Sequence, residues 1–417
     1  MSEPQQLQRR LGTFDATAIG LGSMLGAGVF VVFAPAAGLA GSFLVLAVVV
    51  AGVVAYCNAV ASAALAAKYP TSGGTYVYGR KQLGEWPGFI AGWGFVTGKT
   101  ASCAAMALTF GSYVAPDYAV PVAVAAVVAL TGVNLLGITR TALLTRILLC
   151  MVLATLVFVA VAAVLGPHPA AGTAGMQSGG LAGVLPAAGL MFFAFAGYAR
   201  IATLGEEVRN PERAIPRAIL AALAAAFAIY LLLAVLLLAH LGGRLSTSGT
   251  PLLDAVLDSR LAPAAPLVQA GAAAACLGAL LALITGVGRT TLAMARERDL
   301  PGPLARVGGT HTVPFVAELA VAAVVILLLV TTNVMTVVGF SSFGVLVYYA
   351  VANAAAYTLA VHPNYAPRWL NAVGFAGCVV LAFTLPAAPV LTMAGVIAAG
   401  VAGRWLVLRV RQHQPSP

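Results

Sequence analysis

The sequence predicts an all-α polytopic membrane protein on three observations: an apolar composition, twelve apolar stretches of spanning length, and basic residues gathered at alternate ends of those stretches. Hydrophobic residues make up 61% of the 417 residues and charged residues 8%, against roughly 25% charge in a soluble domain. About 20 apolar residues cross a bilayer core. Such stretches fall at 13–35, 40–67, 87–113, 119–137, 142–166, 181–205, 213–241, 262–293, 313–331, 333–361, 370–386 and 388–408, which predicts 12 transmembrane helices and leaves little chain for a soluble domain.

A formal charge of +10 would point a soluble protein towards nucleic acid, but here the distribution of charge matters more than its sum. With the amino terminus inside, eighteen of the 22 Lys and Arg lie at cytoplasmic helix ends, while Arg244 and Arg260 lie outside and Lys99 and Arg200 fall within spans. This is the positive-inside pattern, and it favours an even number of spans with both termini cytoplasmic. A multi-pass protein of the cytoplasmic (cell inner) membrane is expected, with the lipid bilayer and not nucleic acid as its surroundings. Met1 to Arg10 is polar and the first apolar run lacks a cleavage signature, so the first span is expected to be retained. Cys57, Cys103, Cys150, Cys276 and Cys378 all lie in apolar stretches, where packing is the expected role and no disulfide is expected.

Two spans are interrupted. The first reads Gly20-Leu21-Gly22-Ser23-Met24-Leu25-Gly26-Ala27-Gly28 and the sixth Phe192-Phe193-Ala194-Phe195-Ala196-Gly197-Tyr198. Glycine lets the backbone leave helical geometry, and irregular backbone at membrane depth persists only where protein or a wet cavity satisfies its polar groups. The breaks are candidates for opposite walls of one cavity. Five spans separate them, and an odd number reverses direction. That suggests inverted five-helix repeats over 13–166 and 181–361, two added helices over 370–408, and cytoplasmic tails at 1–12 and 409–417. Paired broken helices point to a midplane site; close helix packing is the other use of such glycines, and the glycine pattern alone leaves both open.

The loops carry punctuation. Asn210-Pro211 offers an N-cap and a first-turn proline for the seventh span, with Glu212 behind them. Tyr69 to Tyr78 reads as a turn followed by aromatic residues of interfacial character.

Several of these segments together resemble the amino acid, polyamine and organocation (APC) transporter superfamily. They are Met24-Leu25-Gly26-Ala27-Gly28-Val29-Phe30, then Pro70 to Tyr78 with Gly92-Trp93 beyond, and the sixth-span break running through Glu206-Glu207-Val208-Arg209-Asn210-Pro211 to Ile215-Pro216-Arg217-Ala218. A fourth stretch, Gly286-Val287-Gly288-Arg289 through Ala293-Met294-Ala295-Arg296 to Leu300-Pro301, looks like that family's eighth span and its loop. The resemblance covers essentially the whole chain. It implies a leucine-transporter-like fold with helices 1 and 6 broken, and an amino acid permease working by alternating access as a secondary active transporter.

A zwitterionic amino acid needs donors for its carboxylate and acceptors for its ammonium, and broken helices present both. Freed amides around Gly26, Ala27, Gly28 and Val29 are the candidate carboxylate seat. Carbonyls near Gly22, Ser23 and Met24, and near Phe193, Phe195 and Ala196 beside Gly197, are the candidate ammonium seat. The resemblance implies the same arrangement, with Tyr198 or Phe195 as an aromatic gate; ordinary packing is the plainer role for each ring. Ala199 stands where many members of the superfamily have an acidic residue, which argues against a cationic substrate and favours a neutral amino acid. Arg200 would instead favour an anionic side chain, or simply snorkel from roughly six residues (~9 Å) below the cytoplasmic edge. Cationic amino acids, polyamines and other amines are the alternative substrates.

Lys99 lies about 12 residues, or roughly 18 Å, into the third span, too deep for easy snorkelling. Buried ionisable groups in a membrane are functional candidates. Proton coupling and a structural bond to carbonyls, Thr97 or Ser102 are the two readings. Several proton-coupled relatives carry a lysine in span five, at a position that aligns near Val152 here, so that form of coupling is in doubt. Of a sodium site only Thr285 is in place, with Gly288 where relatives often have serine. Ion-free exchange therefore stays open. Glu206 and Glu207, opposite Arg289, Arg296 and Arg298, are gate candidates; loop solvation is their plainer role.

An enzyme would need a metal motif, paired aspartates or a Ser and His arrangement. The histidines, His168, His240, His311, His362 and His413, are scattered over loops, helix ends and the tail. No catalytic residue, metal site, cofactor or obligate protein partner is expected. A channel would show rings of repeated filter residues, and two unlike broken helices are not that.

Overall fold

The computed structural model describes residues 11–70, 73–136, 141–166, 180–202, 208–308 and 313–412. Among them every named element is a helix, and helix occupies each of the twelve apolar stretches. The first stretch holds α1 (Thr13–Met24), α2 (Ala27–Val31) and α3 (Phe33–Ala40), and α4 (Leu44–Lys68) fills the second. A short α5 (Gly74–Leu83) leads into α6 (Glu85–Val114), followed by α7 (Ala119–Leu135) and α8 (Thr141–Leu165). The sixth stretch is α9 (Val184–Phe195), a 3-10 turn over Ala196–Tyr198, and α10 (Ala199–Ala202). Then come α11 (Pro211–Leu241), α12 (Pro251–Leu257), α13 (Ala265–Arg296), α14 (Phe315–Thr331), α15 (Val334–Tyr357), α16 (Arg368–Thr384) and α17 (Ala387–Gln412). Nine helical runs among the described residues are long and apolar enough to cross a membrane, and α14 and α16 are apolar but shorter. α6 has the length, 30 residues, but its glycines, hydroxyls and Lys99 dilute its hydropathy.

Local chemistry explains the element ends, with two departures from the sequence reading. Pro35 has no N–H for the Val31 carbonyl and its ring crowds that turn, which accounts for the interruption at Val32 between α2 and α3. Pro211 opens α11 as expected, but Asn210 makes no side-chain cap. It sits in the left-handed region at φ 48°, and its carbonyl, not its amide group, takes the Ala214 N–H at 2.9 Å. The second departure is α5. The aromatic residues read as interfacial lie on a helix that follows the turn at Gly73, and Tyr76 and Tyr78 are buried: Tyr76 donates to Asp299 at 2.8 Å and Tyr78 donates to the Ala202 carbonyl at 3.2 Å.

α6 runs through the middle of the bundle, packed on α15, α13, α7, α14 and α5. It approaches α15 backbone to backbone: a Cβ on Gly98 would lie 3.2 Å from the Ser341 carbonyl oxygen, and one on Gly344 would lie 2.7 Å from the Gly94 carbonyl oxygen. Small residues four apart permit such approach in apolar surroundings, where dispersion and interhelical hydrogen bonds replace the hydrophobic effect between helices. The Ser102 and Ser341 hydroxyls meet at 2.6 Å across the same seam. A second polar contact, Asn353 donating to Asn58 at 2.6 Å, joins α15 to α4. All five cysteines are free thiols; Cys150 alone is exposed.

At one end of the bundle, α5, α13 and α17 meet on a single carboxylate, and α6 joins them through Arg404. Asp299, just past α13, accepts from Tyr76 and from Arg80 Nη1 at 2.9 Å, both on α5, and from Arg404 Nε on α17 at 2.7 Å. Arg404 also reaches Glu85 at the start of α6 at 3.0 Å, and its guanidinium lies over Trp86 at 4.5 Å. Burial and the Asp299 carboxylate hold the Tyr76 hydroxyl well above its usual pKa, so it stays a donor. Removing one partner of a buried pair costs about 3–5 kcal/mol, whereas an exposed ion pair is worth about 1 kcal/mol or less. Asp299 and Arg404 have side-chain exposures of 3% and 4%, and Glu297 on the same cluster has 57%. Asp299→Asn is therefore expected to lower the apparent melting temperature in detergent by several degrees, and Glu297→Gln to leave it nearly unchanged, as read by size exclusion after heating.

Candidate functional site

α1 ends at Met24. The Leu25 N–H still bonds the Leu21 carbonyl at 2.8 Å, Gly26 then swings to ψ −148°, and α2 restarts at Ala27. The glycine run thus interrupts the helix where the sequence placed the break. The sixth stretch departs less: a 3-10 turn replaces α-helix over Ala196–Tyr198, with the Ala196 N–H bonding Phe193.

The two interrupted segments run antiparallel and meet break to break. Ahead of α1, Leu11 pairs with Val208 in a parallel bridge, with the Arg209 N–H on the Leu11 carbonyl at 2.9 Å. Gly20 lies against Ile201, Gly197 against Ser23 and Met24, and Gly28 against Ala194. From Gly20 to Gly28, residue number rises on one segment as it falls on the other. The approach is close enough to need glycine: a Cβ on Gly197 would sit 2.5 Å from the Met24 nitrogen, and one on Gly28 would sit 2.8 Å from the Ala194 Cα.

Breaking a helix frees carbonyls, and buried polar groups need partners. Tyr230 on α11 puts its hydroxyl between the two segments, 2.6 Å from the Met24 carbonyl and 3.1 Å from that of Ala194. One hydroxyl hydrogen is shared between the two acceptors. Lys99 on α6 donates to the Ala196 carbonyl at 3.4 Å and is 6% exposed. Thr97 and Ser102, read as its partners, bond to helical carbonyls and to Ser341 instead. Ser23 donates to Ile19.

The aromatic candidates are packed. Phe195 meets Tyr230 edge-on at 4.9 Å, and Tyr198 tilts against Tyr349 on α15 at 5.0 Å. Met24, Gly26, Gly28, Val29, Phe193 and Ala196 are likewise buried. A cavity of ≈ 60 Å³ lies beside the first break between α1, α8 and α13. Gly22 and Ser23 line it, with Leu148, Val152, Ala275 and Ala279 among the other lining residues, and none of its described lining residues is ionisable. Val152 thus faces this cavity.

Thr285 donates to the Leu281 carbonyl of its own helix at 3.1 Å. Glu206 and Glu207 lie outside the described residues. Arg289 interacts with Glu318 on α14, a carboxylate the sequence reading passed over. Glu318 is buried, packs over Gly288, and its Oε2 has no hydrogen-bond partner among the described residues. Arg200 reaches α13 beside Gly286. Tyr230 was also missed: a tyrosine in a run of alanine and leucine carries no local signal, and its partners lie 206 and 36 residues away. No group of His, Cys, Asp and Glu among the described residues is placed to hold a metal ion.

This arrangement of polar backbone within an apolar bundle suits a small ligand carrying both charges. Comparison with known proteins agrees on the class. A family model described as amino acid permease matches residues 11–401. An uncharacterized transporter of Mycobacterium tuberculosis is 56% identical over 98% of this chain and 94% of its own length. The branched-chain amino acid permease of Bacillus subtilis is 28% identical over 76% of this chain and 73% of its own. Cationic amino acid transporter 7, chloroplastic, of Arabidopsis thaliana is 26% identical over 88% of this chain and 68% of its own. The chain belongs to the amino acid permease family of the APC superfamily, transporters embedded in membranes through many apolar helices.

Proposed function

We propose that this protein is a secondary active transporter of amino acids, neutral ones favoured, that works by alternating access across the cytoplasmic membrane. The observation that carries the reading is the antiparallel contact of break with break, Gly28 on Ala194 and Gly197 on Ser23 and Met24. In this reading the fold has twelve spans, with residues 13–166 and 181–361 as inverted five-helix repeats, 370–408 as added helices, and both termini cytoplasmic. Substrate sits where the breaks meet. Its carboxylate takes the amides of Gly26, Ala27, Gly28 and Val29, and its ammonium takes the carbonyls from Gly22 to Met24 and from Phe193 to Ala196, beside Gly197. The Met24 and Ala194 carbonyls, which share one hydroxyl donor, support the ammonium seat, and the cavity at Gly22 and Ser23 supports access from the α8 and α13 side.

Tyr198, Glu206, Glu207 and Arg289 are the gate residues of this reading, and Lys99 and Thr285 its coupling residues. Lys99 reaches the Ala196 carbonyl at the second break, whereas Thr285 bonds within its own helix, which favours Lys99 of the two. A cationic substrate, which the Arabidopsis relative's name gives for that protein, is the alternative; Ala199 at the second break offers such a side chain no counter-charge.

Purified protein in proteoliposomes is expected to take up labelled leucine saturably, and proton, sodium and exchange gradients identify the coupling. Uptake of no amino acid by folded protein under any gradient contradicts the reading. Gly197→Ala, whose methyl meets backbone, is expected to reduce uptake by about tenfold or more while the protein still elutes as a single species. Tyr230→Phe keeps the ring and removes the donor; a buried acceptor left unpaired costs about 1–3 kcal/mol. That variant is expected to lose thermal stability and to show an altered KM for uptake.

A further inference from the structure

We propose that the cavity between α1, α8 and α13 is the side-chain pocket of the substrate, and that it selects amino acids with a short branched aliphatic side chain, such as valine and leucine, over polar and aromatic ones. The proposal rests on the reading that the first break holds the ammonium and carboxylate of an amino acid.

The cavity adjoins both ends of that break. Gly22 and Ser23, whose carbonyls belong to the ammonium seat, line it directly. Gly26, which opens the carboxylate seat, lies against α13: a Cβ added to it would stand 2.6 Å from the Ala279 Cβ and 3.7 Å from the Ala275 carbonyl oxygen. Ala275 and Ala279 both line the cavity. An α-carbon bound through its two charged groups at the two ends of the break therefore has this cavity within reach of its side chain. A substrate entering from the α8 and α13 side arrives with its charged groups leading and its side chain trailing into the cavity.

The walls set which side chain fits. Ile19, Leu148, Leu149 and Val152 supply branched aliphatic carbon. Among the described lining residues the sole side-chain hydroxyl, that of Ser23, donates to the Ile19 carbonyl, and the other polar atoms are main-chain atoms. A side-chain carboxylate or amide oxygen finds no free side-chain donor there, and burying such a group without a partner is costly. No described lining residue is ionisable, so a cationic side chain meets no counter-charge. Size sets the other limit. The cavity measures ≈ 60 Å³, whereas an apolar cavity of about 150 Å³ takes benzene. A water's share of liquid volume is about 30 Å³, which leaves room for about two or three carbon-sized groups beyond a substrate Cβ.

The test measures uptake of alanine, leucine, asparagine, phenylalanine and arginine in proteoliposomes, scoring ratios within each protein so that overall rate cancels. One methylene in an apolar pocket changes discrimination by about tenfold or more. Wild type is expected to prefer leucine by about tenfold or more over phenylalanine and over asparagine, its near isostere. Val152→Ala widens the cavity and is expected to narrow the leucine-to-phenylalanine ratio by about tenfold; Ala282→Val, on another lining residue, narrows the cavity and is expected to shift preference from leucine towards alanine by about tenfold. Val152→Ile and Ala282→Gly are expected to move the same ratios in the opposite directions, so each position is read twice even where one variant does not fold. For a variant that folds but turns over slowly, ligand-induced thermal stabilisation gives the same ratios without transport. Equal use of leucine, asparagine and phenylalanine by wild type, preference for arginine, or ratios that no variant changes overturns the pocket assignment and leaves the transporter reading standing. Failure of wild type to take up or be stabilised by any amino acid overturns that reading and this one with it.

Discussion

The cost of an unpaired carbonyl in an apolar interior governs the centre of this protein. An isolated amide transferred to hydrocarbon loses several kcal/mol, so a broken helix at membrane depth persists only when other groups answer for the hydrogen bonds it gave up. Here the answers come from outside the broken segments. Tyr230 of α11 serves Met24 and Ala194 with one hydrogen, and Lys99 of α6 serves Ala196 at long range. These bonds hold the breaks, and a donor shared between two carbonyls can yield to a ligand. A site of fully satisfied carbonyls would have nothing to offer an ammonium group, and a site of wholly bare ones would not keep its shape.

The same economy ties the breaks to the rest of the bundle. α5 sends Tyr78 to the carbonyl of Ala202, the last residue of α10, and sends Tyr76 and Arg80 to Asp299, just past α13. Asp299 in turn holds Arg404 of α17. A displacement of α10 or of the end of α13 therefore has to be met by α5, α6 and α17 together. Charge-assisted bonds to one buried carboxylate are strong while intact, and their geometry admits few intermediate arrangements.

What the sequence disclosed follows from the range over which each signal acts. Spans were legible because burial in lipid demands a contiguous apolar length, and helices fall on all twelve stretches. The breaks were legible because glycine is a local mark, and the structure interrupts both helices there, although at Ala196–Tyr198 only to a 3-10 turn. Lys99 stood out because a charge at that depth has no lipid-facing solution, and it points to the second break. Partnerships across long sequence distances were not legible. Tyr230 finds Met24 across 206 residues, and Arg404 finds Glu85 across 319. Tyr76 and Tyr78 were read as interfacial because aromatic residues near a span end usually are, but a helical α5 turns them inward. Glu318 escaped notice because a single carboxylate one turn into a span looks like an edge residue until Gly288 is seen to make room for it.

The central claim is that substrate occupies the junction of the two breaks, and Ser23 is its most direct reporter, since it lines the cavity and backs onto Gly197. The decisive measurement is the rate at which Ser23→Cys, in a protein whose exposed Cys150 has been replaced by Ser, reacts with a small water-soluble thiol reagent in the presence and absence of saturating leucine. Slowing of the reaction by leucine, and by no amino acid that fails to be transported, is the result this account predicts. A labelling rate indifferent to leucine, in protein that transports leucine, would place the substrate elsewhere and contradict it.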